Sequence, residues 1–346
     1  MNDSTTRPGR IVGMLVAWFL AIALLVLARH VFLLLFGGIL FAVFFNRLAG
    51  YLHDLTHLPR GVSVFVVIAG TALILFAAFW FRGEQISDQA SQLSDQLPRA
   101  IQKVWTRASD SDWGQWIAKR LPPPGDMMSN AGGAVARVTG VLASMGGAFV
   151  STFVTIYLTI AIAATPNVYQ RGLVLLFPQR LHEQTQSVLA ALEDTLWWWL
   201  LGRLISMAFV GVATGVGLYL LGVPLAFVLG VFAGLLSFIP NIGPVVSALP
   251  AMAMAASQDT QLALYVVALF VGVQIVENYL LDPIIDRKTV YLPPALTIVA
   301  QLIMGILAGV VGVTFAAPLI ACVMVATDRI YVRGVLGNHD SQVSSE

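Results

Sequence analysis

From Pro224 to Ala256 the chain reads PLAFVLGVFAGLLSFIPNIGPVVSALPAMAMAA, two apolar runs joined by Ile239-Pro240-Asn241-Ile242-Gly243-Pro244. Proline has no backbone N–H and clashes with the preceding turn, so neither run is expected to continue as helix through Pro240 or Pro244. The runs on either side, 225–238 and 245–256, give roughly 21 and 18 Å of helix, against a hydrocarbon core of about 30 Å. Neither spans a bilayer comfortably by itself. The spacing predicts a re-entrant hairpin with the Pro-Asn-Ile-Gly-Pro tip at membrane depth. Broken backbone survives there only if it is buried in protein or lines a wet cavity, so the stretch points to a substrate or ion path.

A membrane setting follows from composition: 58% of residues are hydrophobic and 11% charged, against about 25% charged in soluble domains. A net charge of +1 offers nothing to steer nucleic acid. Cys322, the one cysteine, excludes an intrachain disulfide and a cysteine metal site. The histidines lack metal-ligand spacing; His53 and His57 are four apart with no third ligand nearby. No Lys-Ser/Thr follows a glycine-rich loop, and no Ser/His/Asp or paired-carboxylate constellation occurs. The expectation is a non-enzyme without cofactor or metal.

In chain order, full spans are expected at 11–28, 31–48, 61–81, 138–164, 204–221 and 262–281. Arg7 and Arg10 precede the first, which lacks a small-residue cleavage site and reads as an uncleaved span. Between the third and fourth, residues 82–137 turn polar. Ile86, Ala90, Leu93, Leu97, Ile101 and Val104 recur at helical steps there, the stripe of an amphipathic helix. This predicts an extracytoplasmic subdomain after N-terminal spans in 1–81. A transport domain over 138–333 then contains a cytoplasmic helix near 171–200, in which Trp197, Trp198 and Trp199 read as interfacial. Residues 334–346 read as a disordered tail.

The last apolar block echoes the first hairpin. Gly230-Val-Phe-Ala-Gly234 matches Gly305-Ile-Leu-Ala-Gly309, and the proline break is answered by Gly309-Val-Val-Gly312 and Ala316-Ala317-Pro318. A second hairpin is therefore expected, giving all-α architecture with about six full spans and two re-entrant hairpins in units 203–256 and 262–327. Counting positive charges with both termini cytoplasmic leaves Arg47, Arg60, Arg171, Arg180, Arg203, Arg287, Lys288, Arg329 and Arg333 inside. The two units then have opposite orientation, the arrangement that marks a transporter's binding site. Gly230, Gly234, Gly305, Gly309 and Gly312, with Pro283 and Pro318, read as hinge and packing positions.

One strongly polar patch interrupts the sixth span: Gln274, Glu277 and Asn278, at helical spacing on one side. A carboxylate at bilayer depth costs at least about 2.5 kcal/mol and ordinarily faces protein or a cavity. Glu277 either exchanges a proton or cation, or braces a hairpin near the headgroups. At the first hairpin, whose tip holds Pro240 and Pro244, Asn241 offers an amide, Ser237 a hydroxyl, and the half-helix starting near Gly243 to Val245 free backbone donors.

These residues resemble the autoinducer-2 exporter (AI-2E) family of bacterial membrane proteins. The matching stretches are Gly230 through Pro244, Gln274-Ile-Val-Glu277-Asn278 with Pro283, Leu292-Pro293-Pro294, Gly305 through Gly309, Gly312 and Ala317-Pro318. The resemblance implies export of a small signalling molecule, as in some members, or sodium or lithium/proton antiport, as in others. The resulting expectation is a homo-oligomeric secondary transporter of the bacterial inner membrane, moving a small polar solute, H+ or Na+ by an elevator-like or rocking change. A channel or scaffold without coupled transport is the alternative from another class.

Overall fold

The computed structural model describes residues 28–109, 145–286 and 292–332, and all their regular structure is helical. The expected first span up to Leu27, residues 110–137 of the expected subdomain, residues 138–144, Arg287, Lys288, Arg333 and the tail lie outside the described residues. The helices are α1 (Arg29–Thr56), α2 (Arg60–Ser109), α3 (Met145–Ala164), α4 (Pro166–Leu175), α5 (His182–Leu220), α6 (Ala226–Leu236), α7 (Ile242–Gln258), α8 (Thr260–Val276), α9 (Asp282–Asp286) and α10 (Pro294–Thr327). Among the described residues, four helical stretches, Arg29–Thr56, Gln179–Leu220, Thr260–Ile284 and Pro294–Val332, are long and apolar enough to cross a membrane; bent pairs raise the number to six.

Two sequence boundaries vanish. Residues 61–81 and the amphipathic stripe share the 50-residue helix α2, which bends by 43° between Ile74 and Phe79 instead of ending after Phe81. Likewise 182–200 and 204–220 are one helix, α5. The stripe of α2 has a partner: Ala100 is buried and Leu93 packs against a cluster containing Val210, Leu229, Met254 and Phe270. Gln89 Oε1 also accepts from the Val228 N–H, 3.4 Å away, satisfying one of the donors that the first turn of α6 leaves open.

The Pro240 break is a hairpin, with α6 and α7 as arms and Asn241 at φ 65° between them. Contrary to the sequence expectation, Pro244 lies inside α7, as Pro250 does within the expected arm. Pro244 is in the first turn, where an N–H would have no intrahelical partner, so the second arm starts earlier and reaches 17 residues. Gly243 makes the fold-back possible: a Cβ on it would lie 1.9 Å from the Leu236 carbonyl oxygen. The last block folds back as well. Ala308 and Gly309 leave helical geometry, Gly309 at φ 62°. A Cβ on Gly312 would meet the Met304 carbonyl oxygen at 2.1 Å, an approach that eight residues of straight helix, about 12 Å of rise, forbid. The two arms of α10 therefore lie against each other.

The paired Gly-x-x-x-Gly segments do different work. Gly230 and Gly234 seat α6 on α5: Cβ atoms there would come within 2.5 Å of Gly215 Cα and 2.8 Å of the Met207 carbonyl oxygen. Gly309 is the turn itself, and Gly305 faces Val313 of the opposite arm. Pro318 is fully buried within the second arm. Replacing Gly243 or Gly312 with alanine is expected to destabilise the protein by about 2 kcal/mol through overpacking. Thermal unfolding in detergent checks this, with Gly272→Ala, whose new methyl meets nothing within 4 Å, as the unchanged control.

Candidate functional site

Helices α5 and α6 run antiparallel, Gly215 against Gly230 and Gly211 against Gly234. That register carries the tip after α6 to the level of Arg203 and Ser206 on α5. Helix α8 returns along the same face: Gly217 meets Leu269, and Ser206 donates to Glu277 Oε1. The hairpin tip, the middle of α5 and the end of α8 thus converge.

They enclose a cavity of about 450 Å³. Its lining contains Ser237, Pro240, Asn241, Pro244, Gln274, Glu277 and Asn278 from the sequence-derived set. Gly243 is absent from the lining, being buried against Leu236. Of the hinge positions, Gly230, Gly234, Gly305, Gly309, Gly312 and Pro318 sit in helix contacts or turns, while Pro283 is exposed in α9. Pro283 cannot donate to the carbonyl four residues earlier, and the wide π turn Glu277–Leu281 lies directly before it. Such turns concentrate at functional sites.

Glu277 is 4% exposed and held from several directions. Ser206 donates to Oε1, Gln274 Nε2 donates to Oε2 at 2.7 Å, and Arg203 Nη1 lies 3.8 Å from Oε1. Burying a carboxylate demands such company, since an uncompensated charge would cost several kcal/mol. The rest of the wall mixes a second carboxylate, Asp282, with the Thr297 hydroxyl, the Trp199 ring and apolar Leu292, Pro294 and Ala317.

Reading the sequence alone missed Arg203, Ser206, Trp199, Asp282 and Thr297 as wall residues. It counted Arg203 only as an inside positive charge and the tryptophans as interfacial. Instead Trp197 and Trp199 are buried; Trp197 stacks on Phe44, and Trp199 meets Phe238 edge-on at 5.6 Å. Also missed was Gln301, 2% exposed, whose Nε2 donates 2.9 Å to the Pro240 carbonyl. A signal existed: Thr297 and Gln301, four apart, are both buried on an arm whose Ile298, Val299, Leu302, Ile303 and Ile306 face outward.

Depth follows from α5. Arg47 of α1 pairs with Asp194 and lies 3.9 Å from Glu193, which Gln170 Nε2 also reaches at 3.4 Å, all with substantial exposure. This charged belt marks one edge of the apolar layer. Arg203 is about 14 Å along α5 from it and about 27 Å from the opposite end at Leu221. The cavity therefore lies nearer the belt.

The model of the AI-2E family of transporters matches residues 12–331. The chain belongs to the AI-2E transporter family. It is similar to YueF of Bacillus subtilis (strain 168), a candidate transport protein, at 25% identity over 84% of this chain and 82% of that one. MT0215 of Mycobacterium tuberculosis (strain CDC 1551 / Oshkosh), also a candidate transport protein, is 28% identical over 78% of this chain and 74% of its own. With YrrI of Bacillus subtilis the identity is 29%, but the match spans only 42% of that relative.

In this transporter, Glu277→Ala is expected to cost about 2 kcal/mol, because Ser206 and Gln274 both lose the buried carboxylate they donate to. Combining Arg203→Met with Glu277→Leu should restore most of that loss. Thermal unfolding of the singles and the double variant checks the coupling.

Proposed function

We propose that the cavity between α5, the first hairpin tip and the π turn is the solute site of a secondary transporter that exports a small polar organic molecule. The observation that carries this reading is one wall joining a broken-helix tip, the buried Glu277 with Arg203 beside it, and several amides and hydroxyls within an apolar helix bundle. A volume of about 450 Å³ suits one small solute. Glu277 and Arg203 orient its polar groups, with Asn241, Gln274 and Asn278 supplying directional hydrogen bonds.

The hairpins act as one body in this proposal. Gln301 ties the second hairpin's first arm to the Pro240 carbonyl of the first, so a sliding or rocking step carries both. Placing the belt on the cytoplasmic side, with both termini there and the protein in a bacterial inner membrane, makes the cavity inward-facing. Assembly into a homo-oligomer through the early spans and the 82–137 segment supplies a fixed frame for that motion.

A second reading is monovalent cation/proton antiport. What favours it is that two carboxylates, Glu277 and Asp282, share the wall with one guanidinium, Arg203. Proteoliposomes with an internal pH dye separate the readings. Solute export predicts no proton movement on addition of Na+ or Li+, whereas antiport predicts a cation-dependent signal that Glu277→Gln abolishes.

The tie has its own expected outcome. In a Cys322→Ser background, thiol labelling at Asn241→Cys should quicken about fivefold when Gln301→Leu is added, since one hydrogen bond to the Pro240 carbonyl restrains the tip by about 1 kcal/mol. Equal labelling rates would overturn the coupling of the hairpins through Gln301.

A further inference from the structure

After Ala164 the chain turns by 84° at Thr165-Pro166, so α4 lies nearly perpendicular to α3. Helix α3 arrives at the belt's level: Gly38 of α1 meets Leu158, and Ala163 shares a cluster with Ala42 and Ala49. Two residues of α4 face the belt side chains, since Gln170 bonds Glu193 and Val174 is buried. Together with Asn167 and Arg171, they line a groove against Gln186 and Leu189 of α5. The opposite face of α4 is apolar and open. Val168 is 67% exposed, Leu175 74% and Leu176, just past its end, 77%, with Tyr169 and Leu173 beside them. At 100° per residue these side chains share one sector, with Gly172 near its middle.

We propose that α4 and the Leu176-Phe177 turn form a membrane-surface helix whose open face is covered by the bilayer leaflet on the belt side. Three features of the structure select lipid as the occupant. The 84° turn lays the helix along the membrane plane, the charged belt sets it at the edge of the apolar layer, and exposed Arg171 and Arg180 flank the apolar sector. An in-plane helix of this kind buries its apolar face about 5–10 Å into the headgroup boundary, with cations near lipid phosphates. Because α4 also packs on α5, which carries Arg203, the leaflet then bears on the helix that forms one wall of the cavity.

The test uses the full-length protein in a Cys322→Ser background, with an environment-sensitive dye on Leu176→Cys or, separately, on Val168→Cys. Vesicles contain phosphatidylethanolamine and phosphatidylglycerol with a lipid nitroxide near the headgroup. Both dyes should be quenched by the nitroxide lipid, and aqueous iodide should quench them about threefold less than the same dye on Glu183→Cys. Iodide quenching equal to that control, with no lipid quenching at either site, would overturn the proposal. So would dye-to-dye energy transfer that disappears on dilution with unlabelled protein while lipid quenching stays absent, because a second copy would then cover the face.

Discussion

In a bilayer no water waits for a stray peptide group, and each one left open in hydrocarbon costs several kcal/mol. The break at Ser237–Asn241 therefore controls what surrounds it. Ile242 and Gly243 give their N–H groups to the Pro240 and Ile239 carbonyls across the turn, and Gln301 adds a side-chain donor to Pro240. Ser237 turns its hydroxyl back to the Gly234 carbonyl at 2.7 Å. The tip is stable only while α5, α8 and the first arm of α10 enclose it. Those are also the elements that build the cavity.

Close backbone approach is the second condition. A hairpin of two helices needs a position where one arm can touch the other's carbonyl. Gly243 and Gly312 supply it at corresponding places, seven and eight residues beyond Leu236 and Met304. This likeness is closer than the Gly-x-x-x-Gly match that suggested a repeat, since Gly230 serves a helix crossing and Gly305 faces the other arm. The second break needs no proline because Gly309 takes the left-handed conformation that other residues resist.

The apolar helices, both chain reversals and seven wall residues were legible in the sequence, because prolines, glycines and intramembrane polar groups carry their own physical explanations. Long-range pairing was not. Nothing local told that Arg203 would meet Glu277, 74 residues away, or that Gln301 would reach back to Pro240. Helix continuity was also hidden: Arg82 reads as a membrane boundary, yet an α-helix tolerates arginine as readily as leucine, so α2 runs on. Pro244 misled for a related reason, since its cost depends on its place within the helix rather than on its identity.

The ion pair itself is a poor device for stability. Replacing a buried pair with apolar groups of similar volume is often neutral or stabilising, whereas removing one partner is costly. Apolar side chains would fill the space between α5 and α8 more simply, as Val210 and Val266 do elsewhere in the bundle. Retaining Arg203, Ser206, Gln274 and Glu277 beside an open cavity instead keeps a set of directional donors and acceptors at a point where a broken helix can move. On the reading proposed above, a solute that engages Gln274 or Arg203 must draw it from Glu277, so binding and the hold on that carboxylate compete for the same contacts. That competition gives a transporter a reason to keep costly polar groups inside an apolar bundle.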